Sequence, residues 1–241
     1  MGVLIVILIV AVVAAGIWFS YYLKKKRRDE LAVFAKQYGL TYSREDPYDL
    51  LGYEFKLFRQ GDGRGCENVL AGGWQGVPLK EADYWYYTES TDGEGHRTKS
   101  YKYFSVVVAD MGCSMPYVSV AKENLFTRMA DHMGFPDIDF ESEDFNREFN
   151  VKSEDREFAF KLVDARMMQF LMDSGGKFGF EVRGPTVLTY CHKMKPLELV
   201  PLFGTAKGFH DHIPRLVWNE YGAGGTPPPA EAKSEQEGSP S

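Results

Sequence analysis

The chain has 241 residues, of which 44% are hydrophobic and 15% aromatic, and its formal net charge is −6. Since five of its basic residues are consecutive, the rest of the chain is more acidic still, which argues against nucleic acid as a partner. The three cysteines, Cys66, Cys113 and Cys191, are widely spaced. Their spacing argues against a disulfide framework and favours a reducing compartment.

The first 23 residues carry no charge and read MGVLIVILIVAVVAAGIWFSYYL. As a helix, Gly2–Leu23 would be ~33 Å long, enough to cross a bilayer core of ~30 Å. The alternative is a cleaved signal peptide, but no Lys or Arg precedes the apolar run, and the run exceeds the usual ~7–15 residues. We therefore predict a retained transmembrane anchor over residues 1–23.

Five basic residues follow the apolar segment at once: Lys24, Lys25, Lys26, Arg27 and Arg28. Positive residues beside a membrane span stay on the cytoplasmic side, so the cluster predicts an N-terminus outside and a cytoplasmic soluble domain. A second interpretation is a patch for anionic lipid, to which each basic residue contributes about 1 kcal/mol. In both interpretations, residues 1–28 contact membrane lipid.

The segment 24–40 is predicted to combine this basic cluster with a linker helix. Within Asp29–Leu40, one helical face carries the apolar residues Leu31, Phe34, Ala35 and Tyr38. We expect this helix to continue from the membrane span and to dock its apolar face onto the domain that follows.

Residues 41–222 are predicted to form an α+β soluble domain, either as one unit or as two lobes that meet near residue 136. Hairpin signals outnumber crossover units, which favours an antiparallel sheet with packed helices. The last segment, 223–241, is rich in Gly, Pro, Ser and Glu and lacks large apolar residues. This composition predicts a disordered tail.

Strands in the first half are predicted from short runs of β-branched and aromatic residues. They cover Tyr53–Phe58, Asn68–Trp74, Val77–Thr88, Tyr101–Asp110 and Tyr117–Val120. A flexible glycine-rich turn is expected over Gly61–Gly65, and the polar segment Glu89–Ser100 should form a protruding hairpin loop.

In the second half, a short helix over Asn124–Met133 should precede a longer one over Glu154–Met172. A hairpin is expected from the two strands Phe178–Val182 and Thr186–Cys191. The last element, Leu197–Tyr221, is predicted to be helical with breaks at its internal prolines.

The segment Glu141–Asp173 joins acidic residues and spaced phenylalanines to a helix, and Gly208–Arg215 carries a Gly-Phe pair followed by Ile-Pro-Arg. In these features, residues 100–221 resemble an actinobacterial family of uncharacterised, single-pass membrane-anchored proteins with a domain of unknown function. The resemblance implies a bacterial cell membrane and an anchor in front of the domain. It implies no catalytic or binding residue.

The densest aromatic group is the candidate binding surface, and it consists of Trp74, Tyr84, Trp85, Tyr86 and Tyr87. Four consecutive aromatic residues in a strand must point to both faces of the sheet. One interpretation is a surface on which a sugar, a nucleobase or a proline-rich peptide could stack. The other is ordinary packing in the sheet and core.

No catalytic residue, cofactor or metal is predicted. The weakest alternative is a hydrolase with Cys113 as its nucleophile, although no flanking signature supports it. On a helix, His210 and His212 would point ~200° apart, which argues against shared chelation of zinc. The leading hypothesis is a membrane-tethered, non-enzymatic interaction or scaffold domain with a protein partner. The alternative is a small-ligand sensor that uses the aromatic surface.

Overall fold

The computed structural model describes residues 2–122, 125 and 135–222. The predicted helix over 124–133, apart from Leu125, and the predicted disordered tail over 223–241 lie outside the described residues.

A single helix, α1 (Gly2–Tyr38), contains the apolar segment, the basic cluster and the predicted linker helix. Its 37 residues make it about 55 Å long. Its apolar part has a mean hydropathy of 3.0 and no buried residue, so it is long and apolar enough to span a bilayer. Gly39, with a φ of 68°, ends the helix in the left-handed conformation that glycine favours. The length and apolarity of this helix make the chain a membrane-anchored protein.

Among the described residues, six antiparallel strands form one sheet: β1 (Thr41–Ser43), β2 (Gly63–Trp74), β3 (Val77–Thr91), β4 (Arg97–Ala121), β5 (Asn150–Ser153) and β6 (Gly179–His192). Strands β1 to β4 are neighbours in chain order. Val118 of β4 pairs with Ser153 of β5 on one side and with Val182 of β6 on the other. The long strand β4 is thus the centre of the sheet, and the α+β fold with an antiparallel sheet is confirmed.

Shorter helices that lie wholly within the described residues are α2 (Glu143–Glu148), α3 (Arg156–Leu162), α4 (Ala165–Asp173), α5 (Val200–His212) and α6 (Arg215–Tyr221). The single helix predicted over Glu154–Met172 is wrong, because α3 and α4 are separate. The side chain of Asp164 accepts a hydrogen bond from the backbone N–H of Met167 at 2.8 Å, which starts a new helix there.

The hairpin predicted within residues 178–191 is also wrong, because β6 is one strand. Its two halves pair with the same edge of β4, on either side of an irregular stretch between Asp110 and Val118 of β4. Gly184, with a φ of 55°, bends the strand without reversing it. The two strands predicted at Tyr101–Asp110 and Tyr117–Val120 are correspondingly one strand.

Both faces of the sheet are covered. The second half of α1 packs on one face together with α3 to α6. Two short 3₁₀ turns, Leu50–Gly52 and Leu57–Arg59, supply apolar side chains to the other face. The strand predicted at Tyr53–Phe58 is therefore wrong. Residues on both sides of position 136 contribute strands to this sheet, and the domain limits stay predictions.

A buried carboxyl group explains why that segment forms no strand. Glu181 of β6 accepts hydrogen bonds from the backbone N–H groups of Lys56, at 2.6 Å, and Leu57, at 2.9 Å. The Tyr117 hydroxyl lies 3.3 Å from the same carboxyl group. These N–H groups are satisfied by a side chain rather than by a neighbouring strand. Burial raises the pKa of Glu181 to about 7.

This carboxyl group predicts a pH dependence of stability. The pKa of Glu181 is higher in the folded chain than its ordinary value of 4.5, so the folded state binds more protons between these two values. The free energy of unfolding should therefore fall as the pH rises from about 4.5 to about 7, by about 3 kcal/mol from this group. Unfolding of the full chain in detergent at pH 5 and pH 8 measures the effect.

The Glu181→Gln variant serves as the control, since its side chain does not titrate. Subtracting its pH profile from that of the natural chain isolates the contribution of Glu181. Parallel profiles for the two chains would contradict the prediction.

Candidate functional site

The anchor helix is fixed to the sheet by an ion pair between the partly buried Arg27 and the buried Asp83. Nε of Arg27 donates to Oδ2 of Asp83 at 2.6 Å, and Nη2 pairs with Oδ1 of the same carboxylate. A third nitrogen, Nη1, donates to the carbonyl oxygen of Met194 at 2.8 Å. Asp83 also accepts from Asn68 at 2.9 Å and pairs with Lys193 at 3.1 Å. Such a two-pronged pair fixes both the position and the rotation of α1.

Apolar contacts continue the docking one and two turns further along α1. The buried side chains are Leu31, Phe34 and Ala35, three of the four residues expected on the apolar face. The ring of Phe34 lies 5.7 Å from that of Phe203 in α5. The helix therefore enters the core of the domain instead of linking to it loosely.

Contacts along α1 show in which direction strand β3 runs relative to the helix. Tyr38, at the end of the helix, lies 5.1 Å from Trp74, just before β3. Arg27 contacts Asp83 in the middle of the strand, and Lys24 shares a groove with Trp85. Strand β3 thus runs towards the end of α1 that carries the membrane span. The outer part of the β3–β4 hairpin lies on the membrane side of the domain.

Alternation along β3 separates the predicted aromatic group between the two faces. Tyr84 and Tyr86 are buried on the face opposite α1, and the Tyr84 hydroxyl donates to the carbonyl oxygen of Leu57 at 2.7 Å. Trp74 is buried against α1 and α5. Only Trp85 and Tyr87 of the group are partly exposed.

Two tyrosines of β4 complete the exposed aromatic surface, which we name the aromatic shelf: Trp85, Tyr87, Tyr101 and Tyr103. Trp85 pairs across the sheet with Tyr103, and Tyr87 pairs with Tyr101. The ring centroids of Tyr87 and Tyr101 are 5.3 Å apart. Tyr101 and Tyr103 are 46% and 48% exposed. Sequence reasoning missed these tyrosines, because their position beside Trp85 and Tyr87 depends on the register of the β3–β4 hairpin. The polar segment between the two strands gives no indication of that register.

Glycines in β2 make room for the shelf. Gly63 and Gly65 pair with Tyr87 and Trp85, and a Cβ on Gly65 would lie 2.7 Å from the Trp85 ring. The rings of Tyr87 and Trp85 therefore pack directly against the backbone of Gly63 and Gly65. These glycines were predicted in a flexible turn, but they belong to a strand.

Substituting Gly65 should therefore disturb the shelf directly. We expect Gly65→Ala to displace the Trp85 ring, to change the tryptophan emission spectrum and to lower the free energy of unfolding by about 1–3 kcal/mol. The control is Gly73→Ala in the same strand, where an added Cβ meets nothing within 4 Å. Equal effects of the two substitutions would contradict this account.

A groove of about 460 Å³ lies between α1 and the aromatic shelf. Its lining consists of Lys24, Arg27, Arg28, Glu67, Asn68, Trp85, Tyr101, Tyr103 and Lys193. The structure thus brings together the two features that sequence analysis considered separately, the basic cluster and the aromatic group.

The groove is electropositive. Its four cationic side chains face two carboxylates, that of Glu67 in the lining and that of Asp83 beneath it. Glu81 is fully buried behind Asp83, and its carboxyl oxygens have no hydrogen-bond partner among the described residues. Burial and the neighbouring Asp83 raise the pKa of Glu81 well above its ordinary value. This shift favours the neutral form of the Glu81 carboxyl group. The groove itself has four cationic side chains and two carboxylates, a surplus of two positive charges.

The other candidate residues are packed in the fold. Cys113 is buried, and desolvation raises the pKa of its thiol to about 12, so the residue holds no reactive thiolate. His210 lies against Trp218, and His212 stacks on Phe170 with ring centroids 4.5 Å apart. Within residues 2–122, 125 and 135–222, no three His, Cys, Asp or Glu side chains are grouped as metal ligands.

Fold and anchor together define a membrane-anchored α+β protein. Among solved structures, the chain is similar to the crystal structure of the mycobacterial trehalose monomycolate transport factor A, TtfA, with a TM-score of 0.54 and 16% sequence identity. The match covers 77% of this chain and 93% of that chain. This similarity shows a shared fold. No family model matches the chain, and no curated protein does.

Proposed function

We propose that the chain is a membrane-tethered, non-enzymatic scaffold at the inner face of a bacterial membrane, where it binds a protein partner that moves lipids. The observation that carries the proposal is the docking of α1 through Arg27 and Phe34. A domain on a loose linker samples many orientations, whereas this one has a fixed height and rotation relative to its span. Such an arrangement suits a partner that lies in the same membrane.

Fold similarity supports the lipid part of the proposal. TtfA is described as a transport factor for trehalose monomycolate, and this chain shares its fold. We extend the general role of a lipid transport factor to this chain. At 16% identity, the particular lipid is not carried over.

The test is to uncouple the domain from its span. The full chain, expressed in its own host, is photo-cross-linked in the membrane, and one integral membrane protein should be recovered reproducibly. Inserting Gly-Ser-Gly-Ser after Lys25 leaves the anchor and the docked part of α1 intact but breaks their rigid connection. We expect this insertion to abolish the cross-link while the chain stays in the membrane fraction.

The control carries the same four residues after Ala230, which should leave the cross-link unchanged. Recovery of the chain alone would contradict the partner. Retention of the partner by the Lys25 insertion would contradict the need for a fixed orientation.

The cytoplasmic position of the domain is part of the same proposal and rests on the basic cluster after the span. A reporter fused after Ser241 and active only in the cytoplasm should give a signal. An external signal would reverse the orientation and move the search for a partner to the outer face.

A second candidate, a small-ligand sensor, is favoured by the groove beside the exposed Tyr101 and Tyr103. A ligand that binds only the folded state stabilises it by mass action. Thermal-shift screening of the full chain in detergent tests this function. A soluble compound that raises the melting temperature would support it.

A further inference from the structure

The groove between α1 and the aromatic shelf opens at the level of the membrane surface. Lys24 lines the groove and follows directly on the apolar segment that ends at Leu23. Basic residues that flank a span lie among the lipid headgroups. A lipid of the same leaflet would therefore present its phosphate at the mouth of the groove.

Two cations in the groove are free to bind that phosphate. Arg27 and Lys193 are already paired with Asp83. Within the part of the chain that the structure describes, Lys24 and Arg28 have no carboxylate partner, and Nε of Arg28 donates only to the carbonyl oxygen of Lys24, at 3.2 Å. Lys24 is exposed and Arg28 half-buried. Together they offer ammonium and guanidinium donors to one anion.

The opposite wall of the groove fits the part of a lipid just below its phosphate. Trp85, Tyr101 and Tyr103 present apolar rings with polar edges. Side chains of this kind favour the interfacial region of a bilayer, where one side is wet and the other apolar. A glycerol backbone between the shelf and the two cations would contact both walls.

From this arrangement we propose that the groove binds the phosphodiester headgroup of an anionic phospholipid. The inference goes beyond the scaffold role, since it assigns a lipid ligand to a defined set of side chains. It does not depend on the identity of the protein partner. The surplus of positive charge in the groove disfavours zwitterionic lipids with a quaternary ammonium group, although aromatic rings alone would attract such a group.

The basic cluster contains its own control for general attraction to the membrane. Lys25 and Lys26 lie outside the lining of the groove, and Lys26 is 3.8 Å from Glu30. Replacing Lys24 and Arg28 removes two charges from the groove, whereas replacing Lys25 and Lys26 removes two charges from the same cluster but outside it. Each variant keeps three of the five basic residues for membrane orientation.

The experiment uses the full chain in a neutral detergent, titrated with short-chain phosphatidylglycerol and, separately, with short-chain phosphatidylcholine. Native mass spectrometry counts the bound lipids. We expect one retained phosphatidylglycerol, and binding weakened about tenfold or more by Lys24→Ala with Arg28→Ala. Binding to the Lys25→Ala, Lys26→Ala chain should change by about twofold or less. A Tyr103→Ala chain should also bind more weakly, because one wall of the groove is removed.

Three results would overturn the proposal. Equal losses in the two charge variants would show general attraction to the cluster, and equal retention of phosphatidylcholine would remove the requirement for an anionic lipid. Displacement of the lipid by inorganic phosphate or glycerol phosphate, at the concentration at which phosphatidylglycerol saturates the groove, would assign the groove to a soluble phosphate. None of these results bears on the cross-linked partner, so the two proposals can fail separately.

Discussion

Replacing Phe34 with alanine should lower the free energy of unfolding by about 3–5 kcal/mol. The side chain is 1% exposed, and its ring contacts Tyr38 and Phe203. Truncation leaves a cavity between α1 and the helices on that face, and the cavity cannot close because Arg27 still holds α1 in place. Chemical unfolding of the full chain in detergent, followed by tryptophan fluorescence, measures the loss.

The matched control is Val33→Ala, the preceding position of the same helix. Its side chain is 61% exposed, so the change should be within about 0.5 kcal/mol. A small effect at Phe34, similar to that at Val33, would mean that α1 does not dock on the domain in solution. The insertion experiment above would then lose its basis.

Arg27→Met should have a comparable effect, about 3–5 kcal/mol, because it removes the partly buried partner of a buried carboxylate. The methionine keeps the apolar stem but leaves the Asp83 carboxylate, whose side chain is 2% exposed, with Asn68 and Lys193 as its remaining partners among the described residues. Arg27→Lys should restore only part of the loss, since an ammonium group cannot bind both carboxylate oxygens as a guanidinium does. Thermal unfolding of the full chain measures both variants.

Two further variants distinguish the ion pair from surface charge. Lys26→Ala removes an exposed partner of Glu30 and should change stability by less than about 1 kcal/mol. Combining Arg27→Met with Asp83→Asn removes the stranded charge, so the double variant should be less unstable than additive losses require. Strict additivity would argue against a direct interaction between the two residues.

The sequence predicted the anchor from the length of its uncharged apolar run and the docking face of α1 from helical periodicity, and both signals are local. A helical face of four apolar residues indicated burial, and three of these residues are buried. The antiparallel class of the sheet was also accessible, since runs of β-branched and aromatic residues separated by glycine-containing turns occur throughout the chain.

Elements that depend on distant partners could not be predicted. Lys56 and Leu57 donate to Glu181, more than 120 positions further along the chain, so an apolar, aromatic segment that resembles a strand forms turns. The two halves of β6 were interpreted as a hairpin because Arg-Gly-Pro is a good turn sequence. Both halves instead find the same partner edge in β4.

The separate parts of the candidate site could be predicted from the sequence, but their assembly into one groove could not. The basic cluster and the aromatic run are each visible in the sequence, but Arg27 and Asp83, which bring them together, are 56 positions apart. No local pattern encodes that contact. Tyr101 and Tyr103 join the shelf only through the register of β3 and β4.

The uninterrupted course of α1 has a mechanical consequence. An apolar helix somewhat longer than the hydrocarbon layer tilts, and it tilts further in a thinner bilayer. With no hinge between Leu23 and the contacts at Arg27 and Phe34, a change of tilt turns the whole sheet with it. The outer end of the β3–β4 hairpin then moves relative to the lipid surface. Bilayer thickness therefore sets the orientation of the domain on the membrane.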